Sequence, residues 1–151
     1  MLFYFYEGNQ VIDNIIKRTP EIDVLLERKK IPSVVTFVNP FSYYKIKDYE
    51  KLAQLDYIYI DGILLLKLFN ISNGTKLRRH SFDYSSIAKT VFNYSIQNKK
   101  SIGLIGAKDV EIEQAVKNIK QKNPDIIISY VHSGYFSSYE ERSLVIDSVI
   151  K

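Results

Sequence analysis

The hydrophobic positions of this chain alternate between short apolar runs and longer segments with helical spacing. Apolar runs of strand length predict five β-strands, at Leu2–Tyr6, Ser33–Val38, Leu55–Ile60, Ser101–Ile105 and Asp125–Val131. Four of these runs (VVTFV, YIYI, IGLI and IIISYV) are almost continuously apolar. Such runs are typical of parallel strands that are covered on both faces.

Between the predicted strands, apolar residues recur three and four positions apart, which indicates amphipathic helices. The three stripes are Val11, Ile12, Ile15 and Ile16; Ile87, Ala88, Val91 and Phe92; and Ile112, Ala115, Val116 and Ile119. Asp109 is the expected N-cap of the last helix, and Asn123-Pro124 is its expected end. Strands that alternate with helices predict an α/β fold with an open, mostly parallel Rossmann-like sheet and helices on both faces. The chain shows no repeat and no linker, so we expect a single domain over residues 1–151.

Composition excludes several classes of protein. No apolar run reaches the ~18 residues of a membrane-spanning helix, and the absence of cysteine excludes disulfides, thiolate zinc sites and cysteine nucleophiles. Residues 28–100 carry 13 Lys and Arg against 5 Asp and Glu. This cationic region indicates either an anionic partner, such as a nucleotide or diphosphate, or an ordinary solvated basic face.

Polar residues and glycines follow four of the predicted strands. They are Asn39-Pro40, Asp61-Gly62, Gly106, and His132-Ser133-Gly134. Ligands of open parallel sheets bind beyond the carboxyl ends of the strands. Turn chemistry alone would explain any one of these positions, but together they predict a ligand-binding rim.

Asp61 is the strongest single candidate for a catalytic residue. A partly desolvated carboxylate at a sheet edge can act as a general base, and Gly62 would let a ligand approach the backbone closely. Alternatively, Asp61 caps a helix over Ile63–Phe69.

Arg78 and Arg79 precede a helix that we expect to begin near Ser81 or Asp83. Two arginines beside a helix N-terminus would bind a diphosphate; alternatively, they are surface residues, one of them paired with Asp83. The two histidines lack ligand spacing, so no metal site is expected. The dinucleotide-binding fingerprint and the phosphate-binding Walker motif are missing, and the 12 tyrosines are scattered. Nucleic acid is therefore not an expected partner.

Five segments, in this order, resemble the WecG/TagA/CpsF family of bacterial glycosyltransferases. They are TFVNPFSYY (36–44), LDYIYIDGILL (55–65), RRHSFDYSSIA (78–88), SIGLIGAKDVEIEQAVKNIKQKNPDI (101–126) and HSGYFSSYEE (132–141). The resemblance implies an inverting transferase that moves an N-acetylhexosamine-type sugar from a UDP-sugar to a lipid-diphosphate-linked acceptor. It also implies a role in teichoic acid, common antigen or capsule synthesis, in the cytoplasm at the inner face of the membrane.

The resemblance assigns a role to each motif residue. Asp61 would be the catalytic base, Thr36 and Asn39 would line the substrate pocket, and Arg78 would steady the diphosphate. Gly106 would lie near the nucleotide. No bound metal and no cofactor beyond the donor substrate are implied.

This chain also departs from the family pattern. The family shows two adjacent glycines where this chain has Gly106-Ala107. The resemblance further implies a strand, a glycine-rich segment with a glutamine and a basic membrane appendage beyond Lys151. The second hypothesis is therefore a non-catalytic domain that binds nucleotide-sugars or docks a partner. Peripheral membrane contact and a homo-oligomer both stay open.

Overall fold

The computed structural model describes residues 10–28, 33–46, 52 and 54–150. These residues form seven helices and four strands. In chain order they are α1 (Gln10–Arg18), α2 (Ile22–Glu27), β1 (Val35–Val38), α3 (Pro40–Ile46), β2 (Tyr57–Ile60), α4 (Ile63–Asn73), α5 (Ala88–Gln97), β3 (Ser101–Ile105), α6 (Asp109–Lys122), β4 (Ile127–His132) and α7 (Tyr139–Ile150). None of these helices is long and apolar enough to cross a membrane.

The strands pair in parallel, as the apolar runs predict. β1 pairs with β2 from Val35↔Tyr57 to Val38↔Ile60. β3 pairs with β4 from Ser101↔Ile127 to Ile105↔His132, with a register shift between Ile102 and Gly103. Parallel neighbours need a crossover connection, which here contains α3 in the first pair and α6 in the second. The predicted α/β class with parallel strands is confirmed.

Four of the five predicted strands are present, and the fifth, Leu2–Tyr6, lies outside the described residues. β3 has its predicted bounds, whereas β1 and β2 begin two residues late. The cause is local, because the Asp56 carboxylate accepts the N–H of Val34 at 2.7 Å. The Asp56 side chain thus binds the Val34 N–H just before the pairing of β1 with β2 begins at Val35 and Tyr57.

The chain divides into two compact units, residues 1–90 and 91–151. In the first unit, the buried side of α1 packs with β1, β2 and α4 around one core. Its buried members are Ile12, Ile15, Ile16, Val38, Tyr43, Leu52, Ile58, Ile60, Leu65 and Phe69. The α1 stripe is therefore confirmed except at Val11, which is exposed.

In the second unit, α6 packs against β4, and alternate residues of β3 and β4 are exposed. The expectation of strands covered on both faces is met by β2, whose last three residues are buried, but not by β3 and β4. Small or polar residues such as Ser101, Gly103 and Ser129 occupy exposed positions of these two strands. They interrupt the apolar pattern on that face.

Two predicted helix starts are wrong. The N-cap of α6 is Lys108 rather than Asp109, because the Glu111 carboxylate accepts the Lys108 N–H at 3.0 Å. The predicted end is confirmed, since Asn123 donates both its backbone and its side-chain N–H to the carbonyl of Ile119, each at 2.9 Å.

The helix that follows the two arginines begins at Ala88, not near Ser81 or Asp83. Asp83 accepts the N–H of Ser85 at 2.8 Å, and this bond holds the chain in turns before the helix. Ile87, Ala88 and Phe92 of the predicted stripe are buried.

Candidate active site

The carboxyl ends of β1 and β2 bring Asn39, Asp61 and Gly62 to one edge. Asn39 follows β1 directly, and Asp61 follows β2 and donates its N–H to the carbonyl of Val38 at 2.7 Å. Gly62 has φ +157°, and a Cβ there would lie 3.2 Å from Cδ of Pro40. Glycine therefore suits both the backbone conformation and the close approach of the two strand ends.

The Asp61 side chain forms an ion pair with Arg79. Arg79 Nη2 lies 2.8 Å from Asp61 Oδ1, and the two side chains are 37% and 39% exposed. The residue that caps α4 is Gly62, without a side-chain hydrogen bond. The interpretation of Asp61 as a helix cap is therefore wrong: its carboxylate is a half-exposed acceptor held in one orientation by a guanidinium.

Arg79 has a second anionic neighbour in Asp83, whose Oδ2 lies 3.7 Å from Arg79 Nη2. Asp83 accepts hydrogen bonds from the hydroxyls of Ser81 and Ser85. These two bonds are the main cause that lowers the pKa of Asp83, and the charge of Arg79 adds to them. The carboxylates of Asp61 and Asp83 therefore both approach the same guanidinium nitrogen of Arg79.

The backbone around the two arginines is fixed through His80. Its N–H donates to the carbonyl of Ile60 at 3.0 Å, which ties this segment to the end of β2. Its ring nitrogens face the carbonyl of Arg78 and the carboxylate of Glu21, each at 3.1 Å. Its ring centroid lies 4.8 Å from that of Tyr59.

Arg78 and His80 line a cleft between the α1–α2 connection and β2. Burial, with a smaller effect of the Glu21 charge, raises the pKa of Tyr59 in this cleft to about 12. The phenol therefore stays protonated at neutral pH and donates to the carbonyl of Pro20 at 2.8 Å. It does not compete with Asp61 as a proton acceptor.

The contacts of Asn39 and Thr36 lie within or next to β1 and α3. Asn39 exchanges two hydrogen bonds with Ser42, one from each backbone N–H to the other side chain, both at 2.9 Å, and this exchange begins α3. Thr36 lies within β1, half-buried and in register with Ile58. By strand alternation, Thr36 shares a face with the core residue Val38.

In the second unit, the ends of β3 and β4 meet through backbone contacts. Gly106 donates its N–H to the carbonyl of His132 at 3.1 Å, and Gly134 donates its N–H to the carbonyl of Ala107 at 3.0 Å. A Cβ on Gly134 would lie 2.8 Å from Cα of Gly106, so this approach requires glycine. Gly106 and His132-Ser133-Gly134 are thus brought together within the second unit. A single rim formed by all four strand ends stays a prediction.

An aromatic row lies at this second edge. The ring of His132 is stacked with those of Tyr130 and Phe136, at centroid distances of 6.4 and 5.7 Å. No group of three His, Asp or Glu side chains that could hold a metal occurs in the described part of the chain.

The sequence predicts that Arg79 either binds a diphosphate or pairs with Asp83, and the structure shows the Asp83 pair. The contact of Arg79 with Asp61 and that of Glu21 with His80 are not predicted. The only local signal for Arg79 is Asp83, four residues on. Glu21 and His80 are 59 residues apart, so no local pattern could have paired them.

Comparisons with known proteins identify the family of this chain. The family model "Glycosyl transferase WecG/TagA/CpsF family" matches residues 11–151. A UDP-Gal:alpha-D-GlcNAc-diphosphoundecaprenol beta-1,4-galactosyltransferase of Shigella boydii is 78% identical over 93% of this chain, which spans 60% of that protein. An N-acetylglucosaminyldiphosphoundecaprenol N-acetyl-beta-D-mannosaminyltransferase of Bacillus subtilis (strain 168) is 29% identical over 82% of this chain and 48% of its own length. No solved structure matches.

Proposed function

The chain belongs to the WecG/TagA/CpsF family of glycosyltransferases, and we propose that it carries the proton-accepting site of a UDP-sugar-dependent transferase. The observation that carries this proposal is Asp61, a half-exposed carboxylate at the end of β2 that Arg79 holds in one orientation. Both named relatives are transferases that act on lipid-diphosphate-linked substrates. Their names favour a catalytic protein over a non-catalytic nucleotide-sugar-binding domain.

The proposed donor is UDP-galactose, and the proposed acceptor is N-acetylglucosaminyl-diphosphoundecaprenol. The family resemblance predicts an N-acetylhexosamine-type sugar, and the Bacillus relative is named for such a sugar. The Shigella relative, at 78% identity, is named for galactose. Because this chain is much more similar to the Shigella relative, galactose is the sugar we propose.

In the proposed reaction, an acceptor hydroxyl oxygen attacks C1 of the donor sugar from the side opposite UDP. The bond between C1 and the UDP oxygen breaks, UDP departs, and the configuration at C1 inverts. The Asp61 carboxylate takes the hydroxyl proton, a contribution typically of about 10²–10⁴-fold for a positioned base.

The departing diphosphate needs cationic groups nearby. Arg78 is the arginine that the family resemblance assigns to this task, and its backbone is fixed beside the Asp61 edge through His80. Gly106, at the end of β3, is proposed to lie near the nucleotide. We propose that no bound metal takes part, so side chains and backbone N–H groups would balance the charge.

The test is Asp61→Asn in the full-length protein, with transfer from UDP-galactose to the lipid acceptor as the readout. Transfer should fall by about 10²–10⁴-fold, while donor binding and melting temperature stay near wild type. Glu113→Gln, on the exposed side of α6, is the matched control. Near-normal transfer by Asp61→Asn would remove Asp61 from the role of base. A wild-type protein that binds donor but never transfers would favour the non-catalytic alternative.

The proposed location is the cytoplasmic side of the membrane, with peripheral contact. The support is the lipid-linked acceptor in the names of both relatives.

A further inference from the structure

Two helices that begin beside Asp61 expose apolar side chains. Phe41, in the first turn of α3, is 71% exposed. Ile63 and Leu64, which open α4, are 62% and 64% exposed, and Ile71, two turns later, is 80% exposed. We call these four residues the apolar patch.

Two patch residues of α4 lie on one side of the helix, with Lys67 between them. Leu64, Lys67 and Ile71 are spaced three and four residues apart and so lie on one side of the helix. Leu65 and Phe69 on the other side are buried in the core. Packing within the unit therefore explains one apolar side of α4 but not the other. An exposed apolar patch of this kind marks an interaction surface.

The charged side chains of the two helices that carry the patch have one sign. α3 and α4 contain two charged residues, Lys45 and Lys67; both are exposed, and neither helix contains Asp or Glu. Lys45 Nζ lies 5.8 Å from the ring centroid of Phe41, so cation and apolar surface are adjacent. Apolar side chains with interspersed lysines are typical of surfaces that lie in the headgroup region of anionic membranes.

The patch also begins at the candidate active site. Ile63 is separated from Asp61 by Gly62 alone, and Pro40, next to Phe41, packs against Gly62. We propose that the apolar patch docks on the anionic lipid surface of the membrane, so that Asp61 is held at the level of the headgroups. This inference rests on the proposed function for the nature of the acceptor, but vesicle binding can be measured without catalysis.

The test measures binding of the purified full chain to vesicles of phosphatidylglycerol mixed with phosphatidylcholine, and to vesicles of phosphatidylcholine alone. The wild type should prefer the anionic vesicles. Leu64→Glu and Ile71→Glu should weaken binding at least tenfold, because each removes apolar area and adds a repelled charge. Lys67→Gln should weaken it by about fivefold, the usual effect of one cation near an anionic surface. Val110→Glu, at a 78% exposed apolar position of α6, is the matched control and should bind normally.

Equal vesicle binding by wild type, Leu64→Glu and Ile71→Glu would overturn the inference. So would a lipid-free dimer, seen by light scattering, that Leu64→Glu converts to monomer, since a second copy would then cover the patch. Transfer to a water-soluble acceptor analogue separates the two proposals. Transfer without vesicle binding defeats the docking surface alone, and patch-dependent vesicle binding without any transfer defeats the proposed function alone.

Discussion

At the scale of single residues, Arg79 contacts Asp61 whereas Arg78 lines the neighbouring cleft, and the two adjacent arginines should have different roles. Arg79 touches the Asp61 carboxylate at 2.8 Å, whereas Arg78 is the arginine that the resemblance assigns to the diphosphate. Arg79→Gln should therefore lower kcat by about tenfold or more, because Asp61 loses the group that orients it. Arg78→Gln should mainly raise KM for the UDP-sugar. Steady-state kinetics of the full-length protein would measure both constants.

Both substitutions lie on the surface, and exposed ion pairs add little to stability. Melting temperatures within a few degrees of wild type are therefore the control. The same loss of kcat in both variants, with KM unchanged, would contradict the division of roles.

The hydrogen bonds to Asp83 give a prediction for the pKa of its carboxyl group. Hydrogen bonds from Ser81 and Ser85 are the main cause that lowers its pKa below 3.8. A carboxyl with a lowered pKa in the folded state stabilises the fold above its unfolded pKa and loses this effect as pH falls through the folded value. Ser85→Ala should move the pKa of Asp83 back up toward 3.8, as measured by NMR titration of its carboxyl carbon. Ser129→Ala, on exposed β4, should leave it unchanged, and an unmoved pKa in Ser85→Ala would contradict the assignment.

At the scale of elements, the turn between β3 and α6 contains a residue in an unfavourable conformation. Ala107 has φ +57°, in the left-handed region, where a side chain costs about 1 kcal/mol relative to glycine. Ala107→Gly should therefore raise the free energy of unfolding by about 1 kcal/mol, measured by denaturant or thermal melting. This position is also where the family pattern has the second of two glycines.

The matched control is Ala115→Gly in the interior of α6, where glycine should lower stability by about 1 kcal/mol. Opposite signs at the two positions are the expected outcome. Destabilisation by Ala107→Gly would mean that the alanine methyl group contributes more through contacts than the backbone conformation costs.

The elements show which features are readable from sequence. The apolar runs predicted the four described strands and their parallel pairing, although only β2 is buried in consecutive residues. Helix starts were less predictable. Asp109 and Asp83 both look like caps, but the N-cap of α6 is Lys108, whose N–H donates to the Glu111 carboxylate, and Asp83 holds a turn instead. Competing acceptors a few residues away decide these cases, and their choice depends on three-dimensional geometry.

At the scale of the whole molecule, the positions of residues at strand ends could be predicted from the sequence, but the side chains that contact them could not. The sequence placed Asp61 and Gly106 at strand ends, and the structure agrees. The Arg79 contact to Asp61 joins residues 18 positions apart, across α4 and an irregular segment. Such contacts depend on where a loop returns to the sheet. The cationic region of residues 28–100 includes Lys45 and Lys67 of the patch helices. The proposed membrane docking would therefore use part of the positive charge that the sequence places in this region.

Ligand binding to the whole chain tests donor class and metal dependence together. A ligand at about 100 times its dissociation constant stabilises the folded state by about 2.7 kcal/mol, so UDP-galactose should raise the melting temperature by several degrees. NAD should not, because the dinucleotide-binding fingerprint is missing from the β3–α6 segment. The shift with UDP-galactose should persist in EDTA, since cationic side chains rather than a metal are proposed to balance the diphosphate. A shift abolished by EDTA would contradict that proposal, and an equal response to NAD would mean that the site does not distinguish a UDP-sugar from a dinucleotide.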